Sequence, residues 1–184
     1  MRVITGSARG RKLKEPAGMD IRPTTDMVKE SVFNIIQFQV EGARVLDLFA
    51  GTGQLGIEAL SRGAASAVFV DQSQEAVKLI RENLDHTGLA DRARITRGDS
   101  LQFLRSGEKF DIVFLDPPYG VGLLEKALEG AAGFDILREN GIIVCESRKG
   151  DNLPDLGPGY RQREYRYGKI KLTTYVKLSK EDTE

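Results

Sequence analysis

The chain has 184 residues, 40% hydrophobic and 29% charged, the size and balance of one globular domain (residues 1–184) with its own core. No apolar stretch reaches the roughly 18 to 20 residues that span a bilayer. The start, MRVITGSARGRKLKEP, lacks a secretory apolar segment, and Cys145 is the only cysteine, so the expectation is a cytoplasmic protein with no membrane contact, internal disulfide or cysteine-based metal cluster.

The formal net charge of zero hides a partition. Residues 1–22 carry six Lys/Arg against Glu15 and Asp20, and residues 160–177 carry six against Glu164 alone, while the stretch between is acidic. If folding brings the two ends to one side, they make the basic face of a nucleic-acid binder; two solvated segments with no partner fit the charge equally well.

In chain order, a short strand-like start (Val3, Ile4) runs into the glycine-rich, basic SARGRKLKEPAG. The segment IRPTTDMVKESVFNII then becomes periodic: Thr24 or Thr25 can cap a helix whose apolar face holds Val28, Val32, Ile35 and Ile36. From Ala43 strands and helices alternate. ARVLDLF reads as a buried strand, Leu55 to Arg62 as a helix, SAVFVD as a strand, and Gln74 to Thr87 as a helix closed by Gly88. ARITRGD is the third strand, SLQFLRS a short helix, KFDIVFLD the fourth strand, Leu123 to Leu137 a helix, and GIIVCES the fifth strand. Strands apolar on both faces and alternating with helices predict an α/β fold with a mostly parallel sheet wound on both sides. YRQREYRY, Gly168-Lys169 and IKLTTYVKL then predict a closing antiparallel hairpin.

The first strand delivers VLDLFAGTGQLG, in which Gly51, Gly53 and Gly56 satisfy G-x-G-x-x-G. Such a loop turns tightly, approaches a ligand closely and opens a helix. Asp71 lies 20 residues after Gly51, where a carboxylate can accept from ribose hydroxyls. Both features suit a dinucleotide enzyme as well as one that uses S-adenosylmethionine (SAM). Asp47 favours SAM, because an acid ahead of the glycines repels a pyrophosphate and attracts the ammonium and sulfonium of the methyl donor. Asp99 can accept from an adenine amine, or cap the helix that follows, or both. Asp47, Asp71, Asp99 and Asp116 fall at the ends of four successive strands, the edge where open parallel sheets bind ligands.

The fourth strand ends in Asp116-Pro117-Pro118-Tyr119. Two prolines stop the ladder and stiffen the chain. An exocyclic amine of a nucleobase is a poor nucleophile, since its lone pair is delocalised into the ring. Two acceptors aimed at its N–H groups, the Asp116 carboxylate and the Pro117 carbonyl, favour a pyramidal nitrogen and the charge that develops on attack. Tyr119 offers a face for a flipped base to stack on. No metal is needed for this chemistry, and His86, at a helix end, fits a surface role.

With these residues in view, nearly the whole chain resembles the bacterial 16S ribosomal RNA guanine-N2 methyltransferases of the RsmD type. The blocks are ITGSARGRKL, IRPTTDMVKESVFN, VLDLFAGTGQLGIEALSRGA, VFVDQS, RGDS and FDIVFLDPPYG, in order. One departure is DMVKES, where many members have an arginine near Val28. The resemblance implies a Rossmann-like class I fold with a seven-stranded sheet. Residues 1–40 would be a basic extension with the first helix, 41–150 the SAM-binding core and 151–184 the hairpin. It implies SAM as donor, S-adenosylhomocysteine as product, and a monomer acting on 16S ribosomal RNA or the small subunit. Donor contacts fall at Arg22, Thr24, Thr25, Asp47, Gly51, Gly53, Asp71, Asp99 and Ser100. The acceptor site falls at Asp116, Pro117, Pro118 and Tyr119, with Arg9, Arg11 and Lys12 facing RNA. Three other functions fit parts of the sequence: an adenine-N6 or cytosine-N4 DNA methyltransferase, a dinucleotide-dependent oxidoreductase, and an RNA-binding module without catalysis.

Overall fold

The alternation from Ala43 onward folds as β1 (Arg44–Leu48), β2 (Ser66–Asp71), β3 (Ala93–Arg97), β4 (Phe110–Leu115) and β5 (Leu137–Arg148), followed by β6 (Tyr160–Tyr167) and β7 (Ile170–Lys177). The computed structural model describes residues 1–18 and 23–182, with the backbone alone at 23–25. The seven strands form one sheet in the order β3-β2-β1-β4-β5-β7-β6. The first five run parallel, and β7 lies antiparallel between β5 and β6. This is the α/β architecture that the sequence predicts, hairpin included.

Side-chain alternation along the strands builds two layers. On one face Val45, Phe69 and Phe114 meet α1 (Pro23–Ile35), α2 (Gln54–Ser61) and α3 (Gln74–Thr87) through Phe33, Ile57 and Ile80. On the other, Leu46, Val113 and Ile143 meet α5 (Leu123–Gly133) through Ala127 and Leu128, and the short α4 (Ser100–Phe103) packs beside it. Burying each large apolar side chain contributes roughly 1.5 to 3 kcal/mol.

Three expectations change. The helix predicted to run to Leu137 ends at Gly133, because Asp135 adopts a left-handed backbone (φ 51°) and its carboxylate is gripped by Lys109 and Lys177. Leu137 already pairs with Phe110 as the start of β5, which then shifts register before Ile142. An apolar pair such as Ile136-Leu137 continues a helical period and starts a strand equally well, so periodicity alone misplaces it. The third strand stops at Arg97, and Asp99 turns the chain into α4. The first helix begins at Pro23, a residue suited to the first helical position, so Thr24 and Thr25 lie inside its first turn and not ahead of it. Arg22 lies outside the described residues.

The basic N-terminal segment is folded down. Arg2 bridges Lys12, Val3 N–H donates to the Arg11 carbonyl at 2.9 Å, and Val3, Ala8 and Leu13 join the core on the α1 face. Its anchor is Glu58 on α2, which has a fully buried side chain. Glu58 accepts from the Ile4 and Thr5 N–H groups at 2.9 and 3.0 Å and from Arg62 Nε at 2.9 Å, with Lys29 Nζ 3.7 Å away.

Gly56 shows why the third glycine of the loop is needed. A Cβ there would lie 2.3 Å from Cε1 of Phe69, so α2 can sit on β2 only without one. Gly56→Ala is expected to destabilise the fold by about 1 to 3 kcal/mol, even though alanine is the better helix former. A lower urea midpoint at unchanged slope is the expected result.

Candidate active site

The chain turns from β1 to β2 on one side and meets β4 on the other, so the carboxyl end of β1 is a topological switch point, where open α/β sheets bind ligands. A cleft of about 1250 Å³ opens there and runs from Met27 and Val28 of α1 to the β6–β7 turn. Phe49 leaves β1 with a left-handed backbone (φ 64°), a strained state for a bulky residue that redirects the chain into the glycine loop. Gly51 lines the cleft, and a Cβ added to it would meet no atom within 4 Å, so the space above the loop is open to a ligand. Gly53, left-handed at φ 79°, is the residue from which α2 starts.

Around this loop the acids divide. Asp71 reaches back from β2 to accept from Gly51 N–H at 2.9 Å and from Ser73 N–H at 2.9 Å, which pins its carboxylate at the cleft edge. Asp99 and Ser100 line the same wall, and Asp99 Oδ1 caps α4 by accepting from Gln102 N–H at 2.8 Å. The capping and lining roles coincide. Asp47 does not reach the cleft surface: it is 2% exposed, beneath the loop, and accepts from Gly56 N–H at 2.9 Å. Burial, then the charges of Asp116 and Asp71, push its pKa up to about 8, against the Gly56 hydrogen bond that favours the ion.

Asp116, Pro117, Pro118 and Tyr119 line the same cleft. Burial, followed by the neighbouring Glu146, raises the Asp116 pKa to about 7. Tyr119 donates its hydroxyl to Glu146 Oε1, and the Arg148 guanidinium sits 5.1 Å from its ring centroid. Burial and that hydrogen bond push the phenol above its usual range.

Glu146 and Arg148 escape the sequence reading, although the signal is present. Four acids are recognised there as strand-end residues, and Glu146 is a fifth, in GIIVCES on the next strand over. Lys29 is also unforeseen. It lines the cleft but its Nζ turns to the Arg2 carbonyl at 2.5 Å, and burial lowers its pKa despite Glu58.

The basic ends do come to one side. Tyr165 and Tyr167 pack on the α1 face with the N-terminal hairpin, and Arg161 and Arg163 alternate in step with them on β6. Several of the clustered charges are used internally, however. Lys171 is 3% exposed and holds Glu164 and the Asp151 carbonyl, Lys177 holds Asp135, and Arg11 donates to the His86 carbonyl at 2.6 Å. Arg9, Lys12, Arg161, Arg163 and Lys169 are exposed, and Lys169 lines the cleft.

Comparison with known proteins places this architecture. A family model described as conserved hypothetical protein 95 matches residues 1–176. The chain is 42% identical over 182 residues to YlbH of Bacillus subtilis (strain 168), a proposed rRNA methyltransferase, covering 96% of this chain and 99% of YlbH. It is 36% identical over 177 residues to the ribosomal RNA small subunit methyltransferase D of Escherichia coli (strain K12), covering 95% and 89%. The solved structure of yhhF from Escherichia coli, described as a proposed methyltransferase, superposes with a TM-score of 0.87 at 36% identity, covering 98% of this chain and 99% of that one.

Proposed function

The chain belongs to the RsmD family of small-subunit ribosomal RNA methyltransferases, and from that premise we propose that it transfers a methyl group from SAM to the N2 amine of a guanine in 16S ribosomal RNA. The observation that carries the proposal is the placing of Asp116-Pro117 at the end of β4, in one cleft with the glycine loop and Asp71. SAM, when bound, supplies an electrophilic methyl carbon whose sulfur leaves with its electron pair, giving S-adenosylhomocysteine.

The residues fit that donor. The open space over Gly51 admits it, with Asp71 set for its ribose and Asp99 and Ser100 on the wall beside its base. A cation over the loop favours the ionised form of Asp47 beneath. Met27 and Val28 of α1 line the cleft, and Thr24 and Thr25 lie one turn earlier in the same helix; Arg22, outside the described residues, is assigned to the donor by the family resemblance alone.

On the acceptor side the base leaves its stack and enters the cleft, where Tyr119 offers its ring for stacking. Asp116 and the Pro117 carbonyl accept from the two N–H groups of the amine, and Pro118 stiffens the turn that holds them. Asp116 is then the nearest base for the proton released after transfer. Arg9 and Lys12, together with Arg161, Arg163 and Lys169, hold the surrounding phosphates, and Arg11, whose guanidinium also donates to the His86 carbonyl, adds its charge beside them. The protein works in the cytoplasm as a monomer; among the described residues no helix is long and apolar enough to cross a membrane.

The test is transfer of labelled methyl from SAM to unmodified small-subunit particles, free ribosomal RNA and DNA in parallel. N2-methylguanosine in the particle or its RNA is the expected product. Label confined to DNA, or carried on adenine or cytosine, overturns the proposal.

A further inference from the structure

Asp116 and the Pro117 carbonyl recognise any exocyclic amine, so they do not by themselves select guanine. Glu146 stands beside them. Leu115 and Cys145 are register partners on β4 and β5, which makes Asp116 and Glu146 the next positions on two adjacent parallel strands. Each follows the alternation of Phe114 and Val144, whose side chains pack on the α1 face, so both carboxylates point to the same side of the sheet. Both line the cleft. Tyr119 donates to Oε1 of Glu146, which leaves Oε2 to a donor arriving in the cleft. Two neighbouring carboxylates repel each other, an arrangement stabilised by a ligand that brings two adjacent donors.

Guanine is such a ligand. Its N1–H lies next to its N2 amine, whereas adenine and cytosine place a ring-nitrogen lone pair next to theirs. The geometry points to Glu146 as the residue that determines base specificity: it accepts the N1–H of the flipped guanine while Asp116 and the Pro117 carbonyl hold the amine. This rests on the guanine reading above. A ring lone pair in the same place would face a carboxylate with no proton between them, an unpaired contact that sites of this kind reject strongly.

2-Aminopurine keeps the N2 amine and the stacking surface but carries a lone pair at N1 and a hydrogen in place of O6, and the Glu146 variant separates the N1 contact from the loss of O6. Methyl transfer is measured to RNA bearing either guanine or 2-aminopurine at the methylated position, with the wild-type protein and with Glu146→Gln, whose amide can donate to a lone pair. The wild type is expected to prefer guanine by about a hundredfold or more, and E146Q to bring the two bases within about tenfold. Any shift of Tyr119 in the variant acts on both bases alike, so the ratio reports base selection alone. Equal wild-type rates on both bases overturn the inference, even if E146Q fails to fold, and so does an unchanged ratio in E146Q. An absence of wild-type transfer to any guanine instead removes the guanine reading, and this inference with it.

Discussion

Asp116→Ala is expected to lower methyl transfer by about a hundredfold or more while SAM binding is unchanged, the loss that follows removal of one preorganised contact worth about 3 kcal/mol. The proposed donor side of the cleft comprises the glycine loop, Asp71 and α4, and the hydrogen bonds that Asp71 and Asp99 make there do not involve Asp116. Isothermal titration with SAM and single-turnover kinetics on the same preparation separate the two effects. Unaltered turnover would remove the acceptor role from Asp116. The pH profile supplies an independent check. In that role Asp116 offers the negative charge that favours attack, and can take up the released proton, only when ionised, and burial together with Glu146 raises its pKa to about 7. Below that value it carries a proton and presents a donor where an acceptor is needed. The wild-type rate should therefore rise with pH through about 7 and level off above it, and the residual rate of Asp116→Ala should lack that step.

The second large effect concerns the fold. Glu58→Ala is expected to destabilise the protein by about 3 to 5 kcal/mol, because it leaves a buried cation without its counter-charge. The side chain of Lys29 is 1% exposed and that of Arg62 15%, and both lean on Glu58. The same substitution frees the Ile4 and Thr5 N–H groups, so the N-terminal hairpin should detach before the sheet unfolds. Urea denaturation gives the overall loss, and hydrogen exchange at those two amides gives its location. Adding Lys29→Met should recover part of the stability, since removing both charges of a buried pair is far milder than removing one. If the single variant matches the wild type, Glu58 is not the anchor.

Much of this was legible in the sequence for a physical reason. Val45, Leu46 and Leu48, or Ile112, Val113 and Leu115, have to be apolar on both faces because the strands are covered by helices on both, and such runs announce a parallel sheet. The strand-end acids were legible because an open parallel sheet has one ligand-binding edge. What stayed hidden depends on depth and on neighbours across the sheet. Nothing in VLDLFAG separates an acid on the cleft wall from one beneath it, yet Asp47 lies beneath because Gly56 N–H is there to receive it. Nor does IKLTTYVK reveal that Lys171 points inward, since its partners Glu164 and Asp151 come from other segments. Glu146 is not legible in GIIVCES alone, because its neighbour Asp116 follows the adjacent strand, 30 residues earlier in the chain.

The place of β7 between β5 and β6 has a consequence for how the protein is made. Synthesis delivers β6 first, yet among the described residues β7 is the only strand that pairs with β6 and the only one on the outer edge of β5. Until residue 177 has emerged, one strand has no partner and another presents an open edge, the kind of surface on which nascent chains associate wrongly. The turn at Tyr167 to Lys169, which lines the cleft, is set by the same late event. Closing the sheet and completing the cleft are thus a single step of biogenesis, and a chain interrupted within the hairpin lacks both.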